Sequence, residues 1–176
     1  MRSIWRHREA LVQMASVHGQ HMQKALDQMH IQLHHVISDI TGVTGLAIVD
    51  AILAGERNPA KLAEPRDPKV AASAKTIAQP LVGDYRSEHL FTLRLSLQAY
   101  RQYQKWITDC DVEIEKHLLV FSKATQEPSK ALSKSKGHRK PRRNEPRFDL
   151  RSYQYRIFGV DLTSVPGVSS LTSRFC

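Results

Sequence analysis

The chain has 176 residues, a formal net charge of +9 and a pI near 9.8, and its length suits one ordinary domain of about 100–200 residues. No apolar run approaches the roughly 20 residues of a membrane span, and Arg2, Arg6 and Arg8 lead into no signal-peptide core, so a cytoplasmic protein with no membrane partner is expected. Between Lys123 and Arg156 eleven Lys or Arg face three Asp or Glu, leaving +1 for the other 142 residues, a concentration of charge that points to a polyanionic partner.

From Ile4 to Ile40 there is no proline, and the apolar period predicts one long helix. Ala15, Met22, Met29 and Val36 recur every seven residues, beside a second row of Val12, Leu26, Leu33 and Ile40. Two such rows offset by three and four make a coiled-coil seam. Gly19 interrupts the second row and should weaken the helix. This segment holds six of the nine histidines, with His18 and His21, and His30 and His34, spaced to share a face. No acidic or thiol ligand accompanies them, so a polar helix face is expected rather than a metal site.

The helix feeds into Asp39-Ile-Thr-Gly-Val-Thr-Gly45, followed by Leu46, Val49, Ile52 and Leu53 on one helical face. This pattern reads as a helix-hairpin-helix. Gly42 and Gly45 permit positive φ, and with Thr44 they bring backbone amides and a helix N-terminus toward a phosphate oxygen. A tight interhelical turn before an ordinary buried helix fits the same residues. Asn58 as N-cap and Pro59 at the first helical position predict a short helix ended by Pro65 and Pro68. A second short helix is expected within residues 69–82.

The second long helix starts near Ser87. Leu93, Tyr100, Ile107, Ile114 and Phe121 recur every seven residues, with Leu90, Leu97 and Leu118 beside them and Gln104 and Asp111 in the gaps of that row. The expected fold is therefore all-α: two long helices in an antiparallel coiled coil over residues 1–121, capped by a helical tip at 37–83. The sequence leaves a parallel or dimeric coil open. Tyr100, Tyr103 and Trp106 lie at i, i+3, i+6, a spacing that suits core packing and also base stacking.

Over residues 122–147 the pattern stops, and a basic, disordered linker is expected. Its Lys130, Lys134, Lys136, Arg139, Lys140, Arg142 and Arg143 are the candidate phosphate contacts. A plain soluble tether has the same composition. Residues 148–176 then open a second hairpin, in which Val165-Pro166-Gly167-Val168 echoes the first but Ser169 and Ser170 stand where a glycine is expected. The two cysteines, Cys110 and Cys176, form no metal or disulfide spacing and read as free thiols.

Several segments carry a resemblance: Trp5-Arg-His-Arg8, Met22-Gln-Lys-Ala-Leu26, His35 to Gly45, Ala51-Ile-Leu-Ala-Gly-Glu-Arg-Asn-Pro59, Glu88-His-Leu-Phe91, Asn144-Glu-Pro-Arg-Phe-Asp-Leu-Arg151 and Gly159 to Gly167. Together they resemble the middle of a bacterial insertion-sequence transposase of the bridge-RNA-guided family. That family joins a RuvC-like DEDD domain through a coiled coil to a domain bearing a nucleophilic serine. The resemblance implies a connector over residues 4–121 and the truncated start of the serine domain from about Phe148, with Met1 an internal start and Cys176 a premature stop. It implies DNA and a guide RNA as partners, a homo-oligomer or a complex with intact transposase, and Mg²⁺ in the intact family but no cofactor in this chain. The acidic tetrad precedes residue 1 in the family, and none of Ser164, Ser169, Ser170 or Ser173 matches its serine. No catalytic residue transfers. Asp39, Asp50, Asp109 and Asp111 are scattered and predict no divalent cluster. The expected role is nucleic-acid binding and assembly in DNA transposition and recombination, without catalysis. A non-enzymatic helical module that binds nucleic acid or dimerises is the alternative.

Overall fold

A computed structural model describes residues 1–68, 70–124, 132 and 144–165. The described residues form six α-helices and no strand: α1 (Arg2–Gln28), α2 (Val43–Leu53), α3 (Pro59–Ala63), α4 (Ala74–Ala78), α5 (Ser87–Ala124) and α6 (Leu150–Phe158). The fold is all-α, as the apolar periods predict, and the two long helices pack together as a helical hairpin. Two compact units divide the chain, one built from residues 1–12 and 104–176 and the other from 13–103.

In the second unit, α1 and α5 run antiparallel. His18 stacks on Tyr103 with ring centroids 5.4 Å apart, and the Asp84 amide donates to the Met29 carbonyl at 2.9 Å. The core holds Met22 and Leu26 of α1, Met29 just beyond it, Ile48 and Ile52 of α2, Leu62, Ile77, Leu81 and Leu93, all fully buried. Each such side chain contributes about 1.5–3 kcal/mol, which is what holds the five-residue helices α3 and α4 in place.

α1 is shorter than the sequence period predicts. It ends at Gln28 rather than near Ile40, so Leu33, Val36 and Ile40 lie beyond the helix. The stop is a paired C-terminal cap: the Ile31 amide donates to the Leu26 carbonyl at 2.9 Å and the His30 amide to the Asp27 carbonyl at 2.9 Å, with His30 left-handed at φ 61°. Ile31 and Leu26, both fully buried, supply the apolar contact that accompanies this cap. Past the helix Leu33 of the second row is still buried, as is Ile37 outside both rows. The predicted shared helix face for His30 and His34 is lost with it. His30 is exposed, so His30→Gly should remove the left-handed penalty without losing packing. A gain of up to about 1 kcal/mol in chemical unfolding is expected, and a loss of stability would contradict this account of the stop.

The segment Ala51–Pro59 ends one helix and starts the next. Gly55, at φ 101°, is the left-handed residue after α2; its amide donates to the Ile52 carbonyl at 3.1 Å and the Glu56 amide to the Ala51 carbonyl at 3.0 Å. Glu56 Oε1 then accepts the amides of Arg57 and Asn58, each at 2.8 Å. Those bonds hold its carboxyl below the usual range. Asn58 caps α3 by accepting the Ala60 amide at 3.0 Å, with Pro59 in the first turn as predicted. Arg57 donates to the Ile52 carbonyl at 2.7 Å and lies 4.4 Å from the Tyr85 ring centroid.

The other unit pairs the start of α1 with the end of α5, again antiparallel, and seats α6 on both. Trp5, Ile114, Leu118 and Leu150 form its apolar core, with Phe148, Tyr153 and Ile157 packed alongside. Of the heptad row, Ile107 and Ile114 are buried here, whereas Phe121 is exposed near the helix end. Asp149 caps α6 by accepting the Ser152 amide at 3.2 Å, and Gly159 at φ 73° closes it.

Candidate nucleic-acid interface

The sequence offers two places for phosphate contact, the hairpin before α2 and the basic run. At the hairpin the backbone differs from the expected one. Gly42 is the N-cap of α2 at φ −76° and ψ 173°, and neither it nor Gly45 is among the positive-φ glycines of the described residues. The turn is made by Asp39, whose Oδ1 accepts the Thr41 amide at 2.8 Å and the Thr41 hydroxyl at 2.7 Å. Thr44 is 5% exposed. Its hydroxyl accepts the Asp67 amide at 2.9 Å and ties the tip together.

Gly45 is required for closeness rather than for φ. A Cβ built on it would stand 2.1 Å from the Ile40 carbonyl oxygen and 2.5 Å from the Ile40 carbonyl carbon. The turn therefore presses its backbone against the first turn of α2. Thr44 and Gly45 face the protein, and the geometry fits the tight interhelical turn better than an exposed phosphate cradle.

Lys130, Lys134, Lys136, Arg139, Lys140, Arg142 and Arg143 lie outside the described residues. Their boundaries in the chain are nevertheless well defined. Residues 125–143 contain seven Lys or Arg and one acidic residue, Glu127, while over the described residues basic and acidic side chains nearly balance. The run leaves α5 after Ala124 and leads into Asn144. Both flanks belong to the unit that contains Trp5 and Arg8.

Sequence reasoning did not single out how Asn144 is held. Arg8 and Asp111, with side chains 3% and 4% exposed, form an ion pair in the interface of α1 and α5, with Arg8 Nε 2.5 Å from Asp111 Oδ1. Each also reaches the returning chain. Arg8 Nη1 donates to the Asn144 carbonyl at 3.2 Å, and the Arg147 amide donates to Asp111 Oδ2 at 3.3 Å. The signal was present as an acidic residue in an apolar row, but its partner lies more than a hundred residues away in sequence.

Three of the four scattered aspartates are bonded within the fold. Asp50 pairs with Arg101 at 2.5 Å, Asp111 is taken by Arg8, and Asp39 makes the turn. Among the described residues no group of three His, Cys, Asp or Glu is placed to hold a metal. His18 and His21 meet edge-on at 5.6 Å. Burial, with a further contribution from His21, lowers the His18 pKa. Burial and the neighbouring Asp111 raise the Cys110 pKa, which keeps that free cysteine a thiol rather than a thiolate. Of the aromatic trio, Tyr100 is buried, Tyr103 stacks on His18, and Trp106 is 43% exposed. No helix of the described residues is long and apolar enough to cross a membrane.

Compared with protein-family models, curated proteins and solved structures, the chain finds no match. The transposase reading therefore rests on the quoted segments. Several of them coincide with structural devices: the buried end of the hairpin at Trp5–Arg8, the Asp39 turn, the stop-and-start at Ala51–Pro59 and the docked turn at Asn144–Arg151.

Proposed function

We propose that this chain is a non-catalytic connector and assembly element of a transposase acting in DNA transposition, which holds nucleic acid through residues 125–143. One observation carries the proposal: the positive excess is concentrated in a run flanked by Ala124 and Asn144, whereas the folded helices are nearly neutral. Lys and Arg dispersed among Ser, Pro and Gly suit phosphate contact, which gives salt-dependent affinity with little base information. The resemblance adds a guide RNA and DNA as the expected polyanions, and self-association or pairing with an intact transposase as the expected assembly. Thr44 and Gly45, which face the protein, are left out of this interface.

The test is a salt titration of RNA and duplex-DNA binding by the whole chain, with its mass in solution recorded alongside. Binding should weaken steeply with salt, by about 0.9 in log–log slope for each duplex phosphate contact. Replacing Lys130, Lys134, Lys136, Arg139, Lys140, Arg142 and Arg143 by Gln should flatten that slope and remove most of the affinity. Unchanged affinity in the replaced chain, with helicity intact, would overturn the assignment. Preference for RNA by a defined oligomer favours the guided-transposase reading; equal binding of any polyanion by a monomer favours a general nucleic-acid module.

A further inference from the structure

Ala15 and Met22 of α1 are buried, and His18, which follows one and precedes the other by a helical turn, stands between them on the same face. An apolar row thus admits an imidazole. The ring stacks on Tyr103 of α5 with centroids 5.4 Å apart and planes 23° from parallel, and it meets His21 edge-on at 5.6 Å. Its Nδ1 is shut off from solvent and has no hydrogen-bond partner among the described residues. A neutral imidazole carries one N–H, which can sit on either nitrogen, whereas the imidazolium carries a donor on both. Charging His18 in place therefore buries an N–H with no acceptor, a cost that is greater for a charged group than for a neutral one. His34, His89 and His117 differ: they lie 3.4, 3.9 and 3.6 Å from Asp27, Glu88 and Glu113, which can pair with a charged ring.

We propose that the His18–Tyr103 stack is a pH-sensitive latch between α1 and α5: the neutral ring closes the seam, and a proton taken up in mild acid drives the ring out of it. Of the groups that face His18, Tyr103 on α5 presents its ring and His21 on α1 a second imidazole. An aromatic face attracts a cation. Burial outweighs that attraction and His21 adds a like charge, so the His18 pKa is lowered. The unfolded chain consequently binds the proton first. The contribution of the stack is complete above the ordinary value of 6.5 and is lost as the pH falls below it. A histidine is the side chain suited to this task because its charge changes near neutral pH.

Proton NMR of the whole chain, titrated from about pH 8 to about pH 5, where histidines change charge, tests the latch without any substitution. The His18 ring should titrate below 6.5, and the ring-current shifts between it and Tyr103 should collapse with the same midpoint. Urea unfolding over the same range should show a midpoint that falls with pH. His18→Phe keeps an aromatic ring against Tyr103 but takes up no proton, so it should remove the part of that fall that His18 causes. Where phenylalanine does not fit, His18→Gln also abolishes the titration and should flatten the profile in the same way. A His18 midpoint at or above 6.5, or Tyr103 shifts that persist once the ring is charged, would overturn the latch. So would an undiminished fall of the urea midpoint in both variants.

Discussion

Asp111→Ala is expected to destabilise the unit built on Trp5 by about 3–5 kcal/mol, the usual cost of leaving one member of a buried ion pair without its partner. Arg8 is 3% exposed, so its guanidinium cannot turn to water. Without Asp111 it keeps the Asn144 carbonyl, while the Arg147 amide loses its acceptor. The measurement is urea unfolding followed by Trp5 emission in a Trp106→Phe background, so that the signal comes from Trp5 alone. A lower midpoint with an unchanged urea dependence is expected. Combining Arg8→Met with Asp111→Leu should recover most of the loss, because apolar replacements of a buried pair are often neutral or stabilising. An Asp111→Ala midpoint within error of the starting protein would mean that the pair contributes nothing to folding.

Gly45→Ala should cost about 1–3 kcal/mol through overpacking, although alanine favours a helix over glycine by roughly 1 kcal/mol. The obstacle is backbone: the added Cβ would meet the Ile40 carbonyl at 2.1 Å, and a carbonyl cannot rotate aside as a side chain can. Relief requires the Asp39–Thr41 turn to move, which breaks the bonds from the Thr41 amide and hydroxyl to Asp39. Gly42→Ala is the contrasting case. Its φ of −76° is open to any residue, so the expected cost is under about 1 kcal/mol. Thermal unfolding by circular dichroism, with exchange of the α2 amides, separates the two. Equal effects from both substitutions would show that closeness to Ile40 is not what the second glycine provides.

Local rules account for much that was legible in the chain. The seven-residue rows placed both long helices, and Leu93, Tyr100, Ile107 and Ile114 are buried as that period requires. Asn58 with Pro59 marked the start of α3 because a cap and its proline act within one turn. The paired glycines were legible as a turn but misread as positive-φ positions, since the sequence cannot show that Ile40 lies against Gly45. The end of α1 was missed for a related reason. A histidine takes the left-handed conformation only when the surrounding packing over-determines it, and Leu26 with Ile31 supplies that packing.

The same division applies to function. By itself the sequence determined the all-α class, the two long helices and the concentration of charge between Ala124 and Asn144, because each is a property of composition or of period along the chain. Only the tertiary structure decided that Asp111 pairs with Arg8, that Thr44 and Gly45 turn inward, and that the chain after the basic run returns to the base of the hairpin. Those outcomes depend on groups far apart in sequence meeting out of water, where an ion pair, a carbonyl and an amide must satisfy one another, and no local pattern encodes such a meeting.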